Sequence, residues 1–291
     1  MLTRIFHLNA LSALHVGVGQ AIGVVDLPIA RAKATNLPIV PGSALKGVLR
    51  DEFSSNEKQR TLFGPESINV DEATHASAIA FGDAHLLLLP VRSLAGVVAF
   101  VTCPFVLTRY AADLQRAATK NIPALPGNVQ GAQTCSDTKI KANGNTVVLE
   151  DLDLTASNGA DAWADFMAQH LYGTEEKDKH WVCLFKERFA IISDDDFSFL
   201  ADTATEIRAR IRINDERGVV QKSALWYEEN LPAESVLWGV IAAGAARDSS
   251  KLTQAQVMSA FEATIGTDKT IQIGGKATVG RGLVRFILSG E

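Results

Sequence analysis

The sequence is poor in cysteine and in positive charge, and each shortage excludes a class of protein. Cys103, Cys135 and Cys183 are odd in number and far apart, which argues against a disulfide framework and matches no zinc-ligand spacing. The formal net charge is −5 over 291 residues, whereas a free-standing, non-specific nucleic-acid binder is expected to be basic. A local basic groove on a subunit of a larger assembly remains compatible with this charge.

Long apolar runs are also missing. No stretch of the sequence approaches the roughly 20 apolar residues of a membrane-spanning helix, and the chain does not begin with a basic and then apolar leader. The length is sufficient to bury a substantial core in one domain with insertions. We therefore predict a cytoplasmic protein that does not contact a membrane, with one domain over residues 1–291 and an irregular insertion or small hairpin at about 119–160.

What the sequence does contain is a glycine-rich loop near its end. Residues 274–282 hold four glycines, a lysine and an arginine between two apolar segments. Glycine has no Cβ and tolerates positive φ, so such a loop can press backbone N–H groups against an anion. We predict a phosphate site here, and a hairpin tip without a ligand is the alternative. The candidate residues are Gly274, Gly275, Lys276, Thr278, Gly280 and Arg281.

A second segment, residues 37–53, has the pattern of a helix start. Ser43 is the predicted N-cap, and apolar residues follow it at helical spacing. Lys46 and Arg50 are one turn apart on the opposite, solvated face. Two cations near a helix start suit successive phosphates of a nucleic-acid strand. Taken alone, two cations on such a face usually serve only solubility.

The two segments follow the patterns Pro-x-x-Pro-Gly-Ser-x-Leu-Lys-Gly-x-x-Arg, from Pro38, and Gly-Gly-x-x-Thr-x-Gly-x-Gly, from Gly274. Together they resemble the RAMP superfamily of CRISPR effector subunits. Further motifs at residues 81–84, 89–96 and 225–232 narrow the resemblance to the repeating backbone subunit of type III-B (Cmr) complexes.

The resemblance implies a fold and a set of partners. The fold would be α+β, with a ferredoxin-like (RRM-type) sheet, insertions and a projecting β-hairpin called a thumb; the alternation of predicted strands and helices fits such a sheet. The partners would be CRISPR guide RNA, target RNA, copies of the chain in a filament and other Cmr subunits. The subunit would be a metal-dependent endoribonuclease that cleaves the paired target RNA at regular intervals within the assembled complex, and a non-catalytic guide-binding scaffold is the alternative.

The same resemblance places a catalytic aspartate at Asp26. Such a carboxylate could act as a base or hold a divalent metal, Mg²⁺ or Mn²⁺; from the sequence alone, an Asp before Leu-Pro is a turn residue. His15 could be a general acid or a packed histidine. Further candidates are Glu228 and Glu229 as a second carboxylate, and Arg31 and Lys33 as ligands of the scissile phosphate.

Residues 207–213, which follow Glu206, alternate strictly between apolar and arginine side chains. The alternation predicts a strand with Ile207, Ala209, Ile211 and Ile213 on one face and Arg208, Arg210 and Arg212 on the other. Residues 204–228 are therefore the candidate thumb hairpin. Two interpretations are open: a half-buried hairpin with a solvated outer face, or one whose arginines contact RNA. The acidic run at residues 194–196 is interpreted as a helix start, not as a metal site.

Overall fold

The fold is described from a computed structural model. The structure describes residues 1–19, 25–54, 58–65, 75–173, 175–214 and 219–289. In this part of the chain no helix has the length and apolar character needed to cross a membrane. The three cysteines are free thiols, of which Cys103 and Cys135 are buried.

Seven helices and fourteen strands are formed by the described residues. The helices are α1 (Gly42–Glu52), α2 (Gln59–Phe63), α3 (Pro104–Arg116), α4 (Asp161–Tyr172), α5 (Lys179–Lys186), α6 (Asp194–Thr203) and α7 (Gln254–Ile265). The strands are β1 (Leu2–Ala10), β2 (Ile39–Val40), β3 (Ile79–Phe81), β4 (Ala84–Ser93), β5 (Val97–Thr102), β6 (Ala132–Thr134), β7 (Thr146–Leu149), β8 (Leu152–Asn158), β9 (Phe189–Ile192), β10 (Glu206–Asn214), β11 (Val219–Asn230), β12 (Val236–Ala243), β13 (Asp268–Gln272) and β14 (Leu283–Leu288).

Strand β1 lies in the middle of an antiparallel section with the strand order β13-β14-β1-β12-β4. Its residues 5–10 are all buried, because the section is covered on both faces. On one face Phe6 stacks on Phe286, with ring centroids 5.6 Å apart, and Phe286 meets Phe261 of α7. On the other face the neighbouring His7 contacts Tyr110 of α3.

The second half of β4 enters a closed ring of six strands. The pairings run β4–β5, β5–β9, β9–β6, β6–β8 and β8–β7, and the pair Ser93–Leu149 joins β7 back to β4. Residues 119–160 contribute β6, β7 and β8 to this ring, and β7 and β8 form a hairpin. The fold is therefore α+β, as predicted, with a closed ring that the sequence analysis did not anticipate.

Strands β10 and β11 pair with each other in a two-stranded sheet, and Leu27 forms a single bridge with Glu228 of β11. They cover the predicted thumb of residues 204–228, with β11 continuing to Asn230; the predicted tip at residues 215–218 lies outside the described residues. The register pairs Ile207 with Glu229 and Ile211 with Leu225. Ile207 and Ile211 are 49% and 50% exposed, so the apolar face of the hairpin, and not the arginine face alone, meets solvent.

Two predicted helix starts have different outcomes. Helix α6 begins as predicted, because the Ser193 hydroxyl accepts a hydrogen bond from the Asp196 N–H. The Ser43 prediction is wrong: α1 begins at Gly42, and the Gly42 N–H donates to the Asp83 carboxylate at 2.8 Å. Asp83 follows β3, so the cap comes from a distant segment that local spacing does not reveal. A Cβ on residue 42 would overlap the Phe81 carbonyl oxygen, which explains the glycine there.

His7 makes the stability of the chain depend on pH. Burial, with the charge of His170, lowers the pKa of His7 from 6.5 to about 3. Between these values the unfolded chain binds a proton that the folded chain excludes. The stabilisation is therefore complete above pH 6.5 and falls as the pH drops toward 3, by up to about 1.4 kcal/mol per pH unit. His7→Gln should unfold with a shallower pH dependence between about pH 5 and 6.5, measured by urea midpoints. Equal slopes for the two proteins would contradict this.

Candidate nucleic-acid interface

The glycine-rich loop between β13 and β14 is folded against residues 13–15. The Gly275 N–H donates to the His15 carbonyl at 2.9 Å, and the Gly282 N–H donates to the Ala13 carbonyl at 3.0 Å. A Cβ on Gly282 would overlap the Ile273 carbonyl oxygen, and one on Gly274 would overlap the His15 carbonyl oxygen. These two glycines are thus required by close backbone approach, and the loop conformation is fixed by the protein itself.

The side chains of the loop are only partly free. Gly274, Gly275, Thr278 and Gly280 are exposed, whereas Lys276 and Arg281 are half-buried. Lys276 has a positive φ of 66°, a conformation that residues other than glycine seldom adopt. Its ammonium lies 5.9 Å from the centroid of the Trp226 ring, within the range of a cation–π contact. The loop therefore touches the β10–β11 hairpin.

The predicted cations of α1 are half-buried, which corrects the expectation of a solvated face. Lys46 donates to the Ser77 hydroxyl at 3.2 Å, and Arg50 to the Pro65 carbonyl at 3.5 Å. Ser43 is exposed. In both residues the long side chain is partly covered and partly exposed to solvent. The contact with Ser77 uses one of the three N–H donors of the Lys46 ammonium group.

Asp26 is exposed and is held at the base of the hairpin. One of its carboxylate oxygens accepts a hydrogen bond from the Tyr227 N–H at 2.8 Å. The next residue, Leu27, donates its N–H to the Tyr227 carbonyl at 3.1 Å and accepts from the Glu229 N–H at 3.0 Å. The segment that carries Asp26 is thus paired with β11, and the carboxylate has a defined position although it faces solvent.

His15 is attached to the same stretch of β11. The ring is 5% exposed, and its Nδ1 lies 2.7 Å from the Glu229 carbonyl oxygen. Since a carbonyl oxygen only accepts, Nδ1 carries the proton and Nε2 is the acceptor of the neutral ring. Tyr227 and Glu229 are two residues apart, about 7 Å along a strand. The structure therefore anchors Asp26 and His15 to neighbouring positions of one strand.

Both candidate second carboxylates are buried in ion pairs. The Glu228 carboxylate accepts from Arg210 at 2.9 Å, and the Glu229 carboxylate accepts from Arg31 at 2.6 Å and from the Ile29 N–H at 3.1 Å. Arg31 also donates to Asp202 at 2.9 Å. It is therefore engaged within the protein, which corrects the suggestion that it binds a scissile phosphate.

The three hairpin arginines have different surroundings. Arg208 donates to the Glu206 carboxylate at 2.9 and 2.7 Å, whereas Arg210 is bound to buried Glu228. Arg212 is exposed. They do not form a uniform row of free cations, because one of them is an internal ion-pair partner. The contact of Trp226 with Lys276 was not predicted; the only signal was an aromatic residue in an alternating strand.

The described residues offer a metal ion few ligands. Within this part of the chain no group of three His, Cys, Asp or Glu side chains is arranged to hold a metal. Near the hairpin base, Asp26 presents one carboxylate, with one oxygen already accepting from Tyr227, while Glu228 and Glu229 are engaged by arginines. The described residues therefore do not form a preformed metal cage. Any divalent ion here would take most of its ligands from water and phosphate oxygens, as Mg²⁺ commonly does.

Comparison with known proteins gives consistent matches. The RAMP superfamily profile matches residues 7–285. The CRISPR system Cmr endoribonuclease Cmr4 of Pyrococcus furiosus is 36% identical, over 97% of this chain and 94% of its own length. The crystal structure of oligomeric Cmr4 from the same organism has a TM-score of 0.75 at 28% identity, covering 99% of this chain and 98% of its own. A type III-B Cmr-beta structure bound to cognate target RNA has a TM-score of 0.71, covering 99% of this chain and 97% of its own; its 17% identity shows only the fold.

Gly282 and Gly280 provide a matched pair for testing the loop packing. Both have positive φ, 77° and 76°, but only the Cβ added at residue 282 would meet the protein. Each alanine variant should lose about 1 to 2 kcal/mol from the left-handed backbone. Gly282→Ala should lose about 1 to 3 kcal/mol more, because it forces overlap with the Ile273 carbonyl. Urea unfolding measures the difference; equal losses would show that the loop moves away without cost.

Proposed function

Because this chain belongs to the RAMP superfamily and, within it, to the Cmr4 family, we propose that it binds CRISPR guide RNA and cleaves the paired target RNA. It does so as a backbone subunit of a type III-B complex, at regular intervals along the target. The observation that carries the proposal is the exposed Asp26 carboxylate, fixed by the Tyr227 N–H beside His15. A related Cmr4, 36% identical, is an endoribonuclease.

The proposed reaction needs no protein nucleophile. The 2′-hydroxyl of the target attacks the adjacent phosphorus, the 2′-O–P bond forms, and the P–O5′ bond breaks. Asp26 accepts the proton of the 2′-hydroxyl. His15, when protonated at Nε2, supplies the proton that the departing 5′-oxygen requires, and its Nδ1–H bond to Glu229 fixes the ring for that role. Asp26 thus takes up one proton and His15 releases one in each cleavage.

A divalent ion, Mg²⁺ or Mn²⁺, is a further part of the proposal. The single open carboxylate of Asp26 is the protein ligand that would contact it, with water and phosphate oxygens completing the shell. When bound, such an ion stabilises the negative charge that develops on the phosphorane. The acid–base steps above do not depend on it.

Guide binding is proposed for the glycine-rich loop and for α1. Gly274, Gly275 and Gly280 have no side chain, so a phosphate can approach this exposed part of the loop, where the Thr278 hydroxyl, Lys276 and Arg281 would supply the donors. The N–H groups of Gly275 and Gly280 are already bound by the His15 and Ala277 carbonyls. Lys46 and Arg50, with Ser43, extend the contact along the strand. On the hairpin, Arg208 and Arg212 are the arginines that can reach target RNA. Arg210 supports the hairpin from within through Glu228.

The proposed partners are copies of this chain, other Cmr subunits and the two RNAs, in the cytoplasm. The oligomeric crystal structure of a related Cmr4 supports the self-association. We further propose that the section β14-β1-β12-β4, with α1 after β1 and α7 after β12, is a ferredoxin-like core into which the ring was inserted. The alternative function is a scaffold in which Asp26 is only a turn residue.

Lys276 tests the guide contact. Removal of one phosphate contact to single-stranded RNA should lower the slope of log affinity against log salt by about 0.7. Lys276→Ala should remove about one such contact, and Lys276→Ala/Arg281→Ala about two, with little dependence on guide sequence. Lys120→Ala, at an exposed position after α3, is the control. The measurement is guide RNA affinity over a series of salt concentrations. An unchanged slope of log affinity against log salt in the double variant would show that the loop does not contact the guide.

The Asp26→Asn variant distinguishes a subunit that cleaves RNA from a non-catalytic scaffold. The variant keeps an oxygen that can accept from the Tyr227 N–H, so folding, assembly and target binding should be retained. Cleavage should fall by about 10²- to 10⁴-fold, as expected for loss of an acid–base group. The measurement is single-turnover cleavage of target RNA by the assembled complex, with Asp195→Asn at an exposed position of α6 as the control.

The same assay isolates the other two elements of the chemistry. A 2′-deoxy substitution at the scissile nucleotide should abolish cleavage, because the nucleophile is absent. Excess chelator should strongly reduce cleavage, because the proposed ion then no longer stabilises the charge on the phosphorane, and His15→Ala should reduce it by less than Asp26→Asn. Full activity of the Asp26→Asn complex would make this subunit a scaffold.

A further inference from the structure

Glu229 connects the hairpin to the segment that follows Asp26. Its carboxylate is almost completely buried and uses both oxygens: one accepts from the Ile29 N–H at 3.1 Å and the other from Arg31 at 2.6 Å. The side chains of Arg31 and Glu229 are 17% and 8% exposed. Both partners of the carboxylate thus lie within five residues of Asp26, on the chain segment that carries it.

The backbone of Glu229 makes two further contacts with the candidate site. Its N–H donates to the Leu27 carbonyl at 3.0 Å, and its carbonyl accepts from Nδ1 of His15 at 2.7 Å. One residue therefore contacts the segment of Asp26 through its side chain and its N–H, and contacts His15 through its carbonyl. A shift of Glu229 would displace both groups.

Arg31 extends this connection to a helix. Its guanidinium donates to the Ala201 carbonyl at 3.1 Å, to Asp202 at 2.9 Å and to the Asn36 carbonyl at 2.9 Å. The planar guanidinium can hold several acceptors at fixed angles, which a lysine cannot. Residues 201 and 202 lie in α6, so Arg31 connects the Glu229 carboxylate to a packed helix.

A buried ion pair contributes little net stability, because desolvation of the two charges offsets their attraction. The two side chains therefore matter less for stability than for the positions of the groups that they contact. We propose that this ion pair is a positioning device, which sets the Asp26 carboxylate and the His15 ring at the separation that in-line RNA cleavage requires. This inference rests on the proposed cleavage function. Neither residue touches the substrate; they act through Asp26 and His15.

The test uses Glu229→Gln and Arg31→Lys in the assembled complex, with Asp195→Asn as the control. Asp195 is an exposed residue in the first turn of α6, so its variant should cleave at nearly the wild-type rate. Glu229→Gln places an amide N–H against one of the two donors and should reduce single-turnover cleavage by about 10- to 100-fold, the cost of a small misplacement. Arg31→Lys should also reduce the rate of single-turnover cleavage. Guide and target affinities should stay unchanged, and wild-type cleavage in both variants would overturn the proposal.

Two further measurements exclude a general loss of stability. In the Asp26→Asn background, Glu229→Gln should add little to the loss, because the group that it positions is absent; a full multiplicative loss would overturn the proposal. Amide hydrogen exchange at Leu27 and Ile29 should be faster in Glu229→Gln, while β1 stays protected. If Glu229→Gln does not assemble, Arg31→Lys carries the same comparisons.

These readouts also separate the proposal from the function on which it rests. Full cleavage by Asp26→Asn would refute the catalytic role of Asp26, whatever Glu229 does. A defective Asp26→Asn complex with a fully active Glu229→Gln complex would refute only the positioning role. Unchanged exchange at Leu27 and Ile29 in either variant would contradict positioning without reference to activity.

Discussion

The structure of the candidate site depends on the backbone hydrogen bonds of residues 13–15. On one side Leu14 exchanges hydrogen bonds with Leu231 at the end of β11, and His15 binds the Glu229 carbonyl. On the other side Ala13 and His15 accept from the glycine-rich loop. The loop proposed for guide RNA and the hairpin proposed for target RNA are therefore attached to the same three residues. A few hydrogen bonds of this segment join the two proposed contact surfaces.

The distribution of charge in the hairpin follows from this attachment. Near its base, β11 is hydrogen-bonded to the segment of Asp26. Glu228 and Glu229 are buried there with arginine partners. Farther out, Ile211 and Leu225 face each other and are each about half-exposed. Buried charges require specific partners, whereas exposed apolar side chains require only a surface to cover them. The base is thus specified by contacts within the chain, whereas the outer part of the hairpin keeps exposed apolar side chains.

The sequence predicted what depends on short-range pattern. The start of α6 at the acidic run of residues 194–196 and the alternating strand β10 were predicted, because capping residues, the helix dipole and two-residue periodicity act within a few positions. The closed ring was not, because it depends on the pairing of Ser93 with Leu149 and of β5 with β9. Arg31 and Asp83 were missed for the same reason. Their partners, Glu229 and Gly42, are distant in sequence, and nothing in the local pattern distinguishes a buried charge from a solvated one.

Burial also explains why Asp26 differs from its neighbours Glu228 and Glu229. All three carboxylates lie near the base of β11, but two are neutralised by arginines inside the protein. Asp26 accepts only a backbone N–H, which fixes its position without adding a positive charge beside it. The arrangement therefore leaves the Asp26 carboxylate exposed and fixed in position against the same strand to which His15 is anchored.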